Sequence, residues 1–321
     1  MKLKDIHNSI VAEGIKNDPR GRKGVSSFLA KVKKEYDVLS VDEKKAFDKE
    51  KLTNPYGDSR VLFGNLSKEI KTVLAGIDME TPEILLADAL RKRGKKIDLI
   101  LGHHPEGFAL SALHTVMKIQ LDILENAGVA RKKVKKMLDE RIEEVARKLH
   151  SGNVMRPVDA AQLLDMPIMC SHTVADNCVS AYLDKEINKK KPKTVQDVIN
   201  MLLSEPEYQY SAAIGTGPCI TLGKPTNKCG KVMLEMTGGT GGSKKVFPAL
   251  VKAGVKTIVA MHMSEEHFKK AKKHSLNIII AGHIASDSLG VNLLLDAIDP
   301  KKCLKIIPCS GFIRVDRRGK K

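Results

Sequence analysis

The sequence predicts an α/β protein made of two α/β halves with mostly parallel strands, preceded by extra helices. Three observations predict it. Short apolar runs alternate with longer stretches of helical period, which is the pattern of βαβ units in a largely parallel sheet. That pattern starts near Thr53 and restarts near Thr194. It divides the chain into a helical extension over 1–52 and a main domain over 53–321, with halves of about 53–190 and 191–321. Finally, three apolar runs end in a small residue followed by histidine, and in open parallel sheets the carboxyl ends of strands are where ligand sites lie.

Residues 1–52 read as helix. Val25, Phe28, Leu29, Val32 and Tyr36 recur at helical spacing. Asp18-Pro19-Arg20-Gly21 breaks the stretch, and Ser40-Val41-Asp42-Glu43 has the form of an N-terminal cap. With no catalytic constellation, this region reads as an appendage or an interface element. In the first half, 71–78 reads as strand and 81–93 as helix, with Pro82 in its first turn. Residues 97–101 read as strand, 112–150 as one long helical stretch and 167–170 as a short strand. In the second half, 195–203 reads as helix and 231–236 as strand. A glycine-rich loop, Thr237 to Ser243, then leads into a helix ending at Ala253. Strands at 257–260 and 277–280 flank a helix over 265–274. No repeat of solenoid period is visible.

Composition narrows the function classes. The chain has 321 residues, 42% of them hydrophobic, enough for a sizeable core and too apolar for a disordered chain. No apolar run reaches the length of a membrane span, and Met1 to Asp5 lacks a signal-peptide core. The expected location is therefore the cytoplasm. The six cysteines form no CxxC pair, which removes zinc-ribbon and thioredoxin readings. Most of them sit in apolar stretches and read as reduced core residues. The net charge of +17 comes largely from lysine runs such as Lys189 to Lys193 and the tail 314–321. These read first as solvated surface. Their sharper reading is attraction to an anion, either a phosphorylated small molecule or nucleic acid. Aromatic residues at 4%, with no tryptophan, weaken the case for base stacking on single strands.

The chemistry gathers at the strand ends. Leu99-Ile100-Leu101-Gly102-His103-His104, Ile168-Met169-Cys170-Ser171-His172 and Ile278-Ile279-Ile280-Ala281-Gly282-His283 share one pattern. Asp176 follows His172 by four residues, and Asp287 follows His283 by four. On a helix that spacing puts both side chains of each pair on one face. Imidazole with carboxylate suits Zn, Fe, Mn, Co or Ni and disfavours Ca or Mg alone. Adjacent side chains on extended backbone diverge, so one ion would rarely take both His103 and His104. Two ions about 3.5–4 Å apart, bridged by a carboxylate, could take one each. Taken singly, each histidine reads as a satisfied surface residue and each aspartate as a helix cap. Their joint occurrence is what points to metal. The glycine loop is not a P-loop, because the GxxxxGK[ST] spacing is absent. It reads equally as a phosphate cradle or as a tight turn for close strand–helix packing.

Residues 99–108, Leu-Ile-Leu-Gly-His-His-Pro-Glu-Gly-Phe, resemble the His-His-Pro segment of the dinuclear-metal family called GTP cyclohydrolase I type 2-like, or NGG-interacting-factor-three-like. Ser171 to Asp176, Ala281 to Asp287 and Thr237 to Gly242 resemble its later motifs, in the family's order. The resemblance implies an α/β fold, a ring-like homo-hexamer and two divalent ions. It implies His103, His104, Asp176, His283 and Asp287 as ligands, with His172 a nearby ligand or an outer residue. The family's last ligand is usually Glu, and Asp287 is one methylene shorter. His262 stands where an acidic residue is common, and the segment Tyr56 to Gly64 departs from the usual entry motif.

Two function classes follow. The first is a metal-dependent hydrolase acting on a nucleotide or phosphorylated small molecule, with His172 or His262 as proton shuttle. The family name points to GTP ring opening, but no residue pattern here specifies guanine. The second is a metal-binding regulatory or interaction protein without catalysis, and charge alone adds nucleic-acid association as a third reading.

Overall fold

A computed structural model describes residues 1–319, so the last two residues of the basic tail lie outside the described residues. The first 52 residues are helical, as the periodicity predicts: α1 (Leu3–Lys16), α2 (Gly21–Asp37), α3 (Val41–Ala46) and a 3-10 turn at Lys49–Leu52. The Ser40–Glu43 capping box forms, with the Glu43 carboxylate accepting the Ser40 N–H at 2.8 Å. However, α1 is no appendage. Leu3, Ile6 and Ile10 are buried in the main core with Val73, Leu101 and Leu294. In α2 only Val25 is buried; Phe28, Leu29, Val32 and Tyr36 remain half-exposed.

The rest of the chain builds two sheets. In the first half come β1 (Val61–Phe63), β2 (Thr72–Gly76), α4 (Thr81–Lys92), β3 (Leu99–Gly102), α5 (Gly107–Val116), α6 (Ile119–Asn126), α7 (Arg131–His150), α8 (Arg156–Leu163), β4 (Ile168–Cys170) and α9 (His172–Lys190). The long helix expected over 112–150 is thus three helices. Its second break falls at Gly128, whose φ of 88° is left-handed backbone that glycine adopts without strain. The second half contains α10 (Val195–Leu202), α11 (Pro206–Ala213), β5 (Cys219–Leu222), β6 (Lys231–Glu235), α12 (Phe247–Lys252), β7 (Val255–Ala260), α13 (Glu265–Lys273), β8 (Asn277–Ile280), α14 (His283–Ile298) and β9 (Lys305–Pro308).

The sheet orders are β1-β4-β3-β2-β9 and β5-β8-β7-β6. Strands β2, β3 and β4 are parallel with β1 antiparallel on the edge. In the same way β6, β7 and β8 are parallel with β5 antiparallel. Leaving out β9, the two sheets have one topology. Strand β9 pairs parallel to β2, so the C-terminal segment, expected in the second half, closes the first sheet. Equivalent helices α9 and α14 pack on each other at the middle of the molecule. They come close at Gly290, where a Cβ would stand 2.6 Å from the Ala175 carbonyl oxygen.

Cys170, Cys178 and Cys229 are buried, as expected, but Cys219 and Cys303 are exposed and Cys309 is half-buried. Among the described residues no helix is long and apolar enough to cross a membrane.

Candidate metal centre

Parallel strands all point their carboxyl ends the same way, so the residues that follow them meet. His103 and His104 follow β3, His172 opens α9 after β4, and His283 opens α14 after β8. The glycine before His283 has a φ of 102°, a backbone turn that other residues take only with strain. Asp176 and Asp287 lie one helical turn beyond their histidines. All six residues singled out in the sequence converge, in three overlapping groups that could hold metal: His103, His104, His172; His104, His283, Asp287; and His103, Asp176, Asp287.

Asp287 sits between two of these groups, and its two oxygens face different histidines. Oδ1 is 3.4 Å from His103 Nε2, while Oδ2 is 3.4 Å from His104 Nε2 and 3.6 Å from His283 Nε2. Asp176 Oδ1 lies 3.5 Å from His103 Nε2. These separations are long for hydrogen bonds. They match the edge of a coordination tetrahedron, because ligand atoms about 2.0–2.2 Å from an ion stand about 3.3–3.6 Å apart. Burial supports the same fit. His103 Nδ1 and Nε2, Asp176 Oδ1 and both carboxylate oxygens of Asp287 are buried without a hydrogen-bond partner. A buried carboxylate in that state is strongly disfavoured unless a cation compensates it.

Two carboxylates missed at the sequence level hold the histidines in place. Asp58 Oδ2 accepts from His172 Nδ1 at 2.8 Å and from the Thr173 hydroxyl at 2.6 Å, and its Oδ1 accepts from the Ser59 hydroxyl at 3.1 Å. Asp78 Oδ1 accepts from His104 Nδ1 at 2.6 Å. A carboxylate can only accept, so each Nδ1 carries hydrogen and each Nε2 is turned toward the cluster. Asp78 had a readable signal, since Gly76-Ile77-Asp78 is one more strand end. Asp58 had only its place in the Tyr56 to Gly64 segment.

Acid–base properties reflect this crowding. Burial pushes His103 down to about 4. Burial also lowers His283, helped by the neighbouring histidines. Burial would lower His172 as well, but Asp176 and Asp58 outweigh it and push it up. Burial drives Asp176 up, with Asp287 and Asp58 adding to it against the opposing His172. For Asp287 burial would act upward, yet His103, His104 and His283 hold it far below the carboxylate range.

A small cavity of about 50 Å³ opens on the cluster, bounded by His172, Asp176, His283 and Asp287 on one side and by Gly239, Thr240 and Gly241 on the other. That is room for a few waters. His262 lines it too, its ring 4.8 Å from that of His283. A larger groove of about 780 Å³ lies elsewhere, between the end of α1, α9 and β6, and carries no histidine or cysteine.

The fold and site together define an α/β protein with a His/Asp centre at converging strand ends. No protein-family model matches the chain, and no curated protein does. Solved structures do. A NIF3 superfamily protein from Sphaerobacter thermophilus is 26% identical, with a TM-score of 0.70 over 79% of this chain and 91% of that one. The chain is thus similar in fold to the NIF3 superfamily. Reduced HcgD from Methanocaldococcus jannaschii is 15% identical over 78% of this chain and 89% of that one, TM-score 0.49. The protein ybgI, of unknown function, is 13% identical over 78% and 87%, TM-score 0.44.

Proposed function

We propose that the protein is a metal-dependent hydrolase with two divalent ions, acting on a nucleotide or a phosphorylated small molecule. One observation carries this reading: the two oxygens of Asp287 are shared between His103 on one side and His104 with His283 on the other, with no other partner. His103, Asp176 and Asp287 Oδ1 would hold one ion, and His104, His283 and Asp287 Oδ2 the other. Zn, Fe, Mn, Co and Ni all suit this donor set. Two such ions supply an activated water near neutral pH and polarise a phosphoryl oxygen.

The chain's own residues do the rest. Asp58 fixes the His172 ring so that Nε2 faces the cavity, where it can hold and pass on a proton. His262, exposed at the cavity mouth, can exchange that proton with solvent. By resemblance to its family the protein would work as a homo-hexamer, and by composition in the cytoplasm. Light scattering reporting a monomer at micromolar concentration would remove the first of these.

The test is elemental analysis of protein stripped and reloaded with each metal in turn, followed by a hydrolysis screen that includes GTP. About two ions per chain and turnover of at least one phosphorylated compound are expected. At most one ion would defeat the dinuclear reading. Two ions without turnover on any compound would favour a metal-binding regulatory protein.

A further inference from the structure

We infer that the loop Gly238–Gly242 is an oxyanion cradle, and that it receives a phosphoryl group of the ligand opposite the metal centre. This deepens the proposed function and rests on it.

The loop's carbonyl oxygens are tied down from behind. Gln120 Nε2, at the start of α6, donates to Gly238 O at 2.7 Å and to Thr240 O at 2.6 Å. Arg141 Nε, on α7, donates to Gly241 O at 3.1 Å. His267 Nε2, on α13, donates to Gly242 O at 3.0 Å, its other nitrogen accepting from the Ser264 hydroxyl at 2.7 Å. Gln120 and His267 line a separate apolar pocket behind the loop, with Leu124, Phe247 and Ile258. Gly239, Thr240 and Gly241 line the metal-centre cavity in front.

The peptide bonds are trans, and in a trans peptide the N–H points opposite to the C=O it shares a plane with. Tying back the oxygens of Gly238 and Thr240 therefore turns the N–H groups of Gly239 and Gly241 away from Gln120, and both glycines line the cavity. Among the described residues, only the Thr240 N–H in this loop finds an acceptor, Gly238 O at 3.1 Å. The glycines also have a steric reason. A Cβ at Gly238 would stand 2.7 Å from Gln120 Cγ, and one at Gly242 2.5 Å from Gln120 Oε1. A side chain at either position would push Gln120 off the carbonyls it holds.

Across the cavity stand Asp176 and Asp287 with buried, unpartnered oxygens, and Glu235 lies at its edge. This cluster of carboxyl groups offers an anion no attraction in the metal-free protein. Two dications would make the centre attractive to an anion, whose oxygen could then meet both the ions and the amides. The cradle and the metal centre thus select the same ligand.

The probe is inorganic phosphate, titrated calorimetrically into stripped and metal-loaded protein, with metal content measured on each sample. Loaded wild type should bind phosphate and stripped protein should not. Gln120→Ala and Arg141→Ala should each weaken phosphate binding at least about five-fold with metal content unchanged. Arg141 is partly exposed, so its variant carries the test if Gln120→Ala does not fold. Equal phosphate affinity in the variants at equal metal content overturns the cradle and leaves the metal reading intact. A fully loaded wild type that ignores phosphate does the same. Phosphate binding that needs no metal, yet is weakened in the variants, keeps the amide loop as an anion site and overturns its dependence on the metal centre. A wild type that takes up neither metal nor phosphate overturns both.

Discussion

Strands β4 and β8 hold equivalent places in the two sheets, and each is followed by a helix that begins with histidine and carries aspartate one turn later. The next strands inward differ. Strand β3 ends in His103-His104, whereas its counterpart β7 ends in Met261-His262, with His262 exposed. The outer strands differ again: β2 leads to Asp78, which orients His104, and β6 leads to the glycine loop. The shared topology explains why the six residues converge at all. The unequal strand ends explain the division of labour. The first half supplies most of the metal-type donors and both orienting carboxylates, and the second supplies the facing wall of the cavity.

The sharpest way to break this comparison is at the two equivalent carboxylates. Asp287 faces both histidine groups, whereas Asp176 faces His103 and His172. Asp287→Asn should abolish loading of both ions, because two adjacent dications repel and a neutral amide cannot offset them. Asp176→Asn should leave about one ion per chain, held by His104, His283 and Asp287. If the two variants lose metal to the same extent, the halves are not distinguished as described.

The orienting carboxylates come next. Asp58 is fully buried, with three donors on its two oxygens, whereas Asp78 is exposed and holds one. Removing such a partner weakens metal affinity on the order of 10–100-fold. Asp58→Asn should fall toward the upper end and Asp78→Asn toward the lower. A competition titration with a chromophoric chelator reads the order, and the reverse order would count against burial as the cause.

These two residues also mark where the sequence stops being informative. The strand-end histidines and the i, i+4 aspartates are readable because both periodicities are local. Asp58 is not, since its partner His172 is 114 residues away. The strands β1, β5 and β9 went unpredicted for the same reason. Each is three or four residues long and exists by pairing with a distant strand, β9 with β2 across most of the chain. The region 112–150 was misread because helix-forming residues run almost unbroken through it, and only Gly128 marks a stop.

Gly290 tests the joint between the halves. It seats α14 on α9 at Ala175, next to Asp176 and three residues from Asp287. Gly290→Ala puts a methyl group against a backbone carbonyl, which nothing nearby can relieve except separation of the two helices. The expected cost is about 1–3 kcal/mol, with a few-fold loss of metal affinity because the two aspartates move apart. A thermal melt and the chelator titration on one sample check both. Lost stability at unchanged affinity would show that the centre tolerates movement between the halves.

The smallest expected effect concerns pH, and its sign separates stripped from loaded protein. His172 is raised by its carboxylate neighbours and Asp176 by burial. Above about pH 6.5 an unfolded histidine loses its proton while the folded His172 keeps it, and an unfolded aspartate is already ionised while the folded Asp176 stays protonated longer. The folded state therefore binds more protons than the unfolded one; the His172 part of that stability is complete below about pH 6.5 and the Asp176 part only below about pH 4, and both are lost as pH rises. His103 and His283 are lowered, so their opposing contribution fades as pH rises past about 6.5. Stripped protein should thus lose stability between about pH 6.5 and about pH 8, by up to about 1.4 kcal/mol per pH unit for each of the two groups that keeps its extra proton. Loaded protein should show the opposite slope, because protons compete with the ions for the same nitrogens and oxygens. Melting temperatures across that range, with and without metal, give both slopes. A stripped protein whose melting temperature climbs with pH would mean that Asp176 and His172 are not the buried, mutually adjusted pair that the geometry makes them.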